Sequence, residues 1–435
     1  MAVLTRSIVL VTLAFWLAVT AVPTAAQTGI QVDPTESLGT ISPYVYGANY
    51  GPWALVSVEM HEAAAASGVT HFRFPAGNWG DEYDLTRQQI DLCMLQARAW
   101  GAEVSISTRL YGGTPEQAAE LVRYVNQERG YGVRHWSIGN EPDLYRDYTV
   151  EQFNADWRAQ ALAMRAVDPD IVLIGPEVSQ FPATVAGDPY TNVRREWVRA
   201  FLEANGDLVD IVSIHRYPFP TSNASPPTTV EQLRQNAGEW RTLIDNLRAV
   251  IRETLGRDLP VAITEVNSHW SHVSGGEATP DSRYHAIWWA DVLGTLIRER
   301  VELVNYFALS TFGANGSYGL LDRYQVRPTY YTYALYRQLG QELVYSQSDA
   351  ADVSVTAALR PDGALTILIV NLATAAQTVP LTIVGLDRPV SAEVWLLDAE
   401  HDAEPIEPET IQSGDAIALR PASATLYVIP AGPES

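Results

Sequence analysis

Trp136-Ser137-Ile138-Gly139-Asn140-Glu141-Pro142-Asp143 is a run of β-formers that stops at an acid, and Ile263-Thr264-Glu265-Val266-Asn267 repeats the pattern. Strands that deliver functional groups at their C-terminal ends are the mark of a parallel α/β barrel, whose working face is built there. Working outward, comparable runs occupy residues 44–49, 71–75, 104–110, 135–140, 171–176, 209–217, 261–264 and 303–309. Longer amphipathic stretches lie between them, among them 86–100, 115–127 and 230–255. Such alternation predicts a parallel sheet with helical crossovers. Eight runs are the number that closes a (β/α)8 TIM barrel. An open doubly wound sheet fits less well, because no Gly-rich phosphate loop follows the first run. Thr114-Pro115-Glu116-Gln117 predicts a helix start: Thr as cap, Pro at the first helical position, Gln at the third.

After Leu339-Gly340 the texture changes. Residues 353–359, 365–371, 379–384, 392–397 and 424–429 are short strand-like runs separated by Pro, Gly, Asp and Asn, with no helical period. They predict a C-terminal antiparallel β-sandwich of roughly 90 residues. Residues 29–32 are too short to stand alone and are expected to add a strand to it. The expected division is therefore a signal peptide over 1–26, an N-terminal strand over 27–40, the catalytic barrel over 41–340 and the sandwich over 341–435.

At 435 residues the chain suits a barrel plus a smaller unit. A hydrophobic fraction of 47% and a charged fraction of 18% indicate a large core. The formal charge is −22, and all 29 basic residues are Arg. Without Lys there is no side-chain amine for Schiff-base or pyridoxal chemistry. An acidic chain also argues against a nucleic-acid partner. Arg6, an apolar run over 8–22 and Thr24-Ala25-Ala26 read as an export signal with a small-x-small cleavage site, too short for a membrane span. The mature protein is expected to be secreted, with no membrane partner; its oligomeric state is not readable. The single cysteine, Cys93, lies in a helical pattern and reads as a packing thiol.

Two carboxylates facing each other across a barrel mouth are the minimum apparatus for cleaving a glycosidic bond: one protonates the leaving oxygen, the other attacks or activates water. Glu141 is the candidate acid, held by Pro142 and flanked by Asn140, whose amide can donate to and accept from a sugar hydroxyl. Glu265 is its counterpart on the seventh run, opposite the fourth. The plainer alternative is that each is an ordinary loop carboxylate in an ion pair. Arg73 could pair with a surface acid, but beside two glutamates it would keep the nucleophile ionised. His215 and Tyr217 share a strand face and could be packing residues. Trp53, Trp79, Trp270, Tyr111 and Phe312 follow strand runs, where a ring could stack on a sugar or simply pack. His269 and His272 lack a third ligand at suitable spacing and read as solvated loop histidines, so no metal is expected.

Gly139-Asn140-Glu141-Pro142 with the seventh-strand Thr264-Glu265 resembles the clan A glycoside hydrolases, retaining (β/α)8 glycosidases. Phe72-Arg73-Phe74-Pro75-Ala76-Gly77-Asn78 resembles the clan's second strand, with Ala76 where a second Gly is usual. Ser213-Ile214-His215-Arg216-Tyr217 resembles its sixth. Gly319-Leu320-Leu321-Asp322 and Arg327-Pro328-Thr329-Tyr330-Tyr331 resemble the segment after strand eight in arabinofuranosidases, β-xylosidases and heparanase-like β-glucuronidases. The resemblance implies Glu141 as acid/base, Glu265 as nucleophile, Asn140 on the sugar 2-hydroxyl, and Arg73, His215 and Tyr217 in support; Asn78, at the end of the second-strand segment, and Trp270, after the seventh run, are further candidates for contact with the substrate. It implies a carbohydrate substrate and no cofactor. A retaining enzyme should hold its two carboxyl groups about 5 Å apart, an inverting one about 6.5–9.5 Å. A glycan-binding barrel without catalysis and a transglycosylase using the same glutamates stay open at this point. Neutral polysaccharides are the first expected substrate class. Uronate-bearing glycans are second, through Arg73, Arg109 and Arg216 near the mouth.

Overall fold

The computed structural model describes residues 29–183, 189–219, 225–312 and 318–431. The signal peptide expected over 1–26 lies outside the described residues. Strand β1 (Ile30–Thr40) comes first, and eight strands follow in the barrel. These are β2 (Gly47–Asn49), β3 (His71–Phe74), β4 (Glu103–Thr108), β5 (His135–Ile138), β6 (Val172–Val178), β7 (Ile211–Arg216), β8 (Val261–Val266) and β9 (Leu303–Tyr306). Each pairs in parallel with its neighbour, and β2 closes on β9 through Gly47 with Asn305 and Ala48 with Tyr306. The structure is thus a closed (β/α)8 barrel.

The crossover helices follow the local rules of the sequence. Thr114 Oγ1 accepts from Gln117 N at 3.2 Å while Gln117 Oε1 accepts from Thr114 N at 2.9 Å, so two orphan amides at that helix start are satisfied. The same reciprocal box opens helices at Thr86, Thr149 and Thr229. Cys93 is buried in the helix Arg87–Trp100, as a packing thiol should be. Half of the first run differs from expectation. Pro43–Tyr46 is a 3-10 turn, because Ser42 caps it with Pro43 at its first position.

Eight further strands, β10 (Glu342–Ser348), β11 (Val353–Leu359), β12 (Leu365–Asn371), β13 (Gln377–Ile383), β14 (Val390–Leu397), β15 (Asp402–Ile411), β16 (Ala416–Leu419) and β17 (Ser423–Ile429), join β1 in a curled sheet. Its order is β15-β14-β17-β12-β11-β10-β1-β13-β16. All pairs are antiparallel except β1 with β13. One face encloses a core of Ile30, Val32, Val355, Ile367, Leu381 and Tyr427. The other face, with Leu368, Val370, Leu426 and Val428, merges into the barrel's own core. Every residue of β12 and β17 is therefore buried. Tyr284 Oη donates to Leu372 O at 2.7 Å, and Arg298 to Val355 O at 2.7 Å, so the barrel helix Arg283–Arg298 is bonded directly to the sheet. No helix among the described residues is long and apolar enough to cross a membrane.

Candidate active site

Arg73 on β3 organises the barrel mouth. Its guanidinium is 1% exposed and spans four partners: Nη1 donates to Asn49 Oδ1 at 3.1 Å and Glu265 Oε1 at 2.8 Å, and Nη2 to Asn140 Oδ1 at 2.8 Å and Glu177 Oε2 at 2.6 Å. Burial works against its charge, but the Glu177 and Glu265 carboxylates more than offset that.

Glu265, the penultimate residue of β8, receives a donor on each oxygen beyond Arg73. Gly77 N donates to Oε1 at 3.1 Å, and Tyr217 Oη to Oε2 at 2.8 Å. Gly77 has φ +66°, the left-handed region that lets its amide turn back into the mouth. Burial, and then the Glu265 and Glu141 charges, raise the Tyr217 phenol well above its ordinary value, so it remains a donor.

Glu141 follows β5 in a left-handed conformation, φ 44° and ψ 55°, and Pro142 starts a 3-10 turn behind it. The chain reaches that turn through Gly139, at φ +84°, where a Cβ would stand 2.7 Å from Leu110. Glu141 is pushed up from the usual carboxylate range. Burial is the main cause, His215 works against it, and the Glu265 and Asp143 charges reinforce it. His215 Nδ1 lies 3.1 Å from Glu141 Oε1, and its Nε2 lies 3.1 Å from Glu177 Oε2. Burial alone would strip this imidazole of its proton. Glu265, Glu141 and Glu177 reverse that and raise it to about 10.

The mouth thus holds three glutamates against two cations, Arg73 and the His215 imidazolium. It is charge-balanced when one glutamate is protonated, and desolvation raises Glu141 in that direction. A carboxylate oxygen of Glu141, one of Glu265 and a ring nitrogen of His215 lie within 4.8 Å of one another. With Arg73 bonded to Glu265 and an imidazolium between two acids, these groups already neutralise each other, which is a poor setting for a divalent cation.

Asn140 Nδ2 donates to Asn78 Oδ1 at 2.9 Å, joining Asn78 to the network. Trp270 is 40% exposed on the segment after β8, and its amide donates to Phe219 O at 2.8 Å. Tyr111 and Phe312 are also exposed, whereas Trp53 stacks on Phe307 with centroids 5.5 Å apart. His269 departs from expectation: it is buried, between Ser268 Oγ at 2.7 Å and Thr228 Oγ1 at 3.0 Å, and burial lowers it to about 4. Only His272 is a surface residue. The arginines expected to be open to a uronate are engaged internally. Arg109 bonds Tyr111 O at 3.0 Å and Asp84 at 3.4 Å, Arg216 pairs with Glu239, and both terminal nitrogens of Arg73 are taken by Asn49, Glu265, Asn140 and Glu177.

Two acidic side chains of the mouth escaped the sequence reading. Glu177 is the penultimate residue of β6, and the run over 171–176 stopped one residue short of it; the rule that picked out Glu141 and Glu265 would have found it. Asp81 sits in the turn Trp79–Glu82 after β3, off any strand. Its Oδ1 accepts from Leu110 N at 2.7 Å and its Oδ2 from Asn140 N at 2.7 Å and from Tyr145 Oη. Burial raises it to about 6 against the pull of those amides. It ties the ends of β4 and β5 together beneath Glu141.

The family model of glycosyl hydrolases family 39 matches residues 118–368, more than half of the chain. A beta-xylosidase of Geobacillus stearothermophilus is 26% identical over 266 residues, 55% of this chain and 47% of that protein. An intracellular exo-alpha-(1->5)-L-arabinofuranosidase of Streptomyces lividans is 24% identical over 280 residues, 50% of this chain and 40% of that protein. The chain therefore spans less than half the length of these curated relatives. An alpha-L-arabinofuranosidase structure from Thermotoga maritima superposes with a TM-score of 0.72 at 21% identity, covering 93% of this chain and 100% of that one, which speaks to the fold.

Proposed function

The chain belongs to glycosyl hydrolases family 39, and on that premise we propose that it is a retaining glycosidase with Glu265 as nucleophile and Glu141 as acid/base. One observation carries this reading: an oxygen of Glu141 and an oxygen of Glu265 lie within 4.8 Å. That supports the retaining spacing of about 5 Å over the inverting one of about 6.5–9.5 Å. The difference in surroundings supports the assignment of roles. Glu265 accepts from Arg73, Gly77 N and Tyr217, as an anion should, whereas Glu141 is raised by desolvation, as a proton donor should be.

In the first step a Glu265 oxygen bonds to the anomeric carbon, the glycosidic C–O bond breaks, and the Glu141 proton passes to the leaving oxygen. Esterified Glu265 carries no charge, so its repulsion of the Glu141 carboxylate vanishes and Glu141 becomes the base. In the second step Glu141 takes a proton from water, the water oxygen bonds to the anomeric carbon, and the ester bond breaks to restore Glu265.

Both relatives' names carry neutral pentosyl groups, and the mouth arginines named above already hold partners within the chain, so a neutral pentoside is the proposed substrate. The test is a panel of aryl glycosides with product anomers followed by NMR. We expect turnover of a pentoside with the anomer retained, and losses on the order of 10²–10⁴-fold in Glu141→Ala on substrates that need protonation. Glu265→Ala should be inactive. An inverted product, or turnover surviving in Glu265→Ala, overturns the reading. Export remains part of the proposal, carried by the pattern at residues 6–26. N-terminal sequencing of secreted protein beginning near residue 27 would support it, and retention of the intact chain in the cytoplasm would refute it.

A further inference from the structure

Glu177 is the one fully buried glutamate of the mouth that the displacement does not use. Its Oε2 accepts from Arg73 Nη2 at 2.6 Å and stands 3.1 Å from His215 Nε2, while Ser213 Oγ donates to Oε1 at 3.3 Å. A counterion for Arg73 is not what is missing here, since Glu265 already serves as one. What only Glu177 supplies is the partner for the far side of the His215 ring, whose near side meets Glu141 at 3.1 Å. The same residue also holds Glu141 by the backbone: Glu141 N donates to Glu177 O at 3.1 Å. Both residues sit in the left-handed region, at φ 44° and 61°, a strained pairing that the structure maintains at adjacent strand ends.

From this geometry, and resting on the acid/base reading of Glu141, we propose that Glu177 is a positioning residue for that acid: through His215 and its own carbonyl it sets where Glu141 points and how tightly Glu141 holds its proton. The charged and titratable groups around the His215 ring are Glu141 after β5, Glu177 on β6 and Glu265 on β8, with Arg73 of β3 behind Glu177 and Tyr217 beyond β7 on Glu265. Asp143 adds its charge to Glu141.

Glu177→Gln removes the charge alone. The amide oxygen in place of Oε2 still accepts from Arg73 and His215, and the amide nitrogen in place of Oε1 donates to Ser213 Oγ. One anion fewer weakens the ring's hold on its second proton. A neutral ring that keeps Nε2–H toward residue 177 presents Nδ1 as an acceptor, for which protonated Glu141 is the donor. Glu141 then stays protonated to higher pH.

Two measurements on the full chain test this. By ¹⁵N NMR the His215 ring should be doubly protonated through pH 8 in the wild type and singly protonated there in Glu177→Gln. On an aryl glycoside the alkaline limb of kcat/KM should move up by roughly one pH unit in Glu177→Gln and return toward the wild-type position in Glu177→Asp. A merely structural role would lower kcat and leave the limb in place, which overturns the inference. A wild-type ring that has lost its second proton by pH 7 overturns it too, and that measurement needs no variant to fold. Failure of the underlying reading looks different: Glu141→Gln and Glu265→Gln would both keep their turnover, while the NMR comparison would be unaffected.

Discussion

His71 and His215 are both fully buried inside the same barrel, one at the floor and one at the mouth, and they behave oppositely. At the floor His71 meets His135 with ring centroids 5.9 Å apart, Tyr44 lies edge-on to both, and Asn305 Nδ2 donates to His71 Nδ1 at 3.0 Å. Among the described residues no carboxylate bonds to either ring there, and desolvation drives His71 well below its ordinary value and His135 down to about 4. At the mouth the same desolvation acts on His215, yet Glu265, Glu141 and Glu177 carry it to about 10. Burial therefore does not set the charge of a barrel histidine by itself; the acids delivered by neighbouring strand ends decide. The floor is a neutral polar plug. The mouth is a lattice of alternating charges.

The sharpest way to break this contrast is to remove a cation from the mouth. Arg73→Met leaves Glu177 and Glu265 buried without their shared partner. Loss of one member of a buried pair typically costs about 3–5 kcal/mol. Denaturant unfolding should show a loss of that size, together with loss of turnover. A cost under about 1 kcal/mol would place Arg73 among exposed pairs and dissolve the idea of a counterion lattice.

The floor predicts a smaller effect with the opposite pH sign to that of the mouth. An unfolded chain takes up a proton on His135 near its ordinary value, but the folded ring does so only near pH 4. Below about pH 6.5 the unfolded state thus binds more protons, and stability falls as pH drops through that window, by up to about 3 kcal/mol. His135→Gln should flatten the difference between urea unfolding at pH 7.5 and pH 4.5 by most of that amount. An unchanged pH dependence would mean that His135 is hydrated in the native state. His215, raised in the fold, contributes stability at acid and neutral pH that disappears only as pH rises toward 10.

The mouth was far more legible in the sequence than the floor, and the reason is chemical. Glu141, Glu265, Arg73, His215 and Tyr217 stand at the ends of β-rich runs, where a polar residue interrupts an apolar pattern and so announces itself. Glu177 follows the same logic but hides behind Pro176, where the run was cut. Asp81 could not be found that way, because it works from a turn, and Gly77 contributes a backbone amide that has no side-chain signature. His71 and His135 open their strands instead of closing them, and so lie at the end away from the mouth. His269 was misplaced because a loop histidine looks solvated until the Phe219 segment packs over it. In the C-terminal sheet β15 was invisible: Pro405 and Pro408 argue against a strand, yet β15 lies at the edge of the sheet, where unpaired amides are tolerated.

The smallest expected effect separates an engaged rim arginine from the one inside. Arg109 is partly exposed, and its guanidinium reaches Asp84 at 3.4 Å and the Tyr111 carbonyl at 3.0 Å. A pair of this kind is worth about 0–1 kcal/mol, because water screens it and two long side chains must be ordered to form it. Arg109→Gln should therefore leave kcat/KM on a neutral pentoside within about fivefold of wild type. The informative comparison is a matched pair of aryl glycosides, one neutral and one bearing a uronate. If Arg109 is an internal tie, both rates move together and little. If the uronate alone loses tenfold or more, Arg109 leaves Asp84 to meet the substrate carboxylate, and the neutral-pentoside proposal gives way to a uronate at the rim while Arg73, held by four partners, stays where it is.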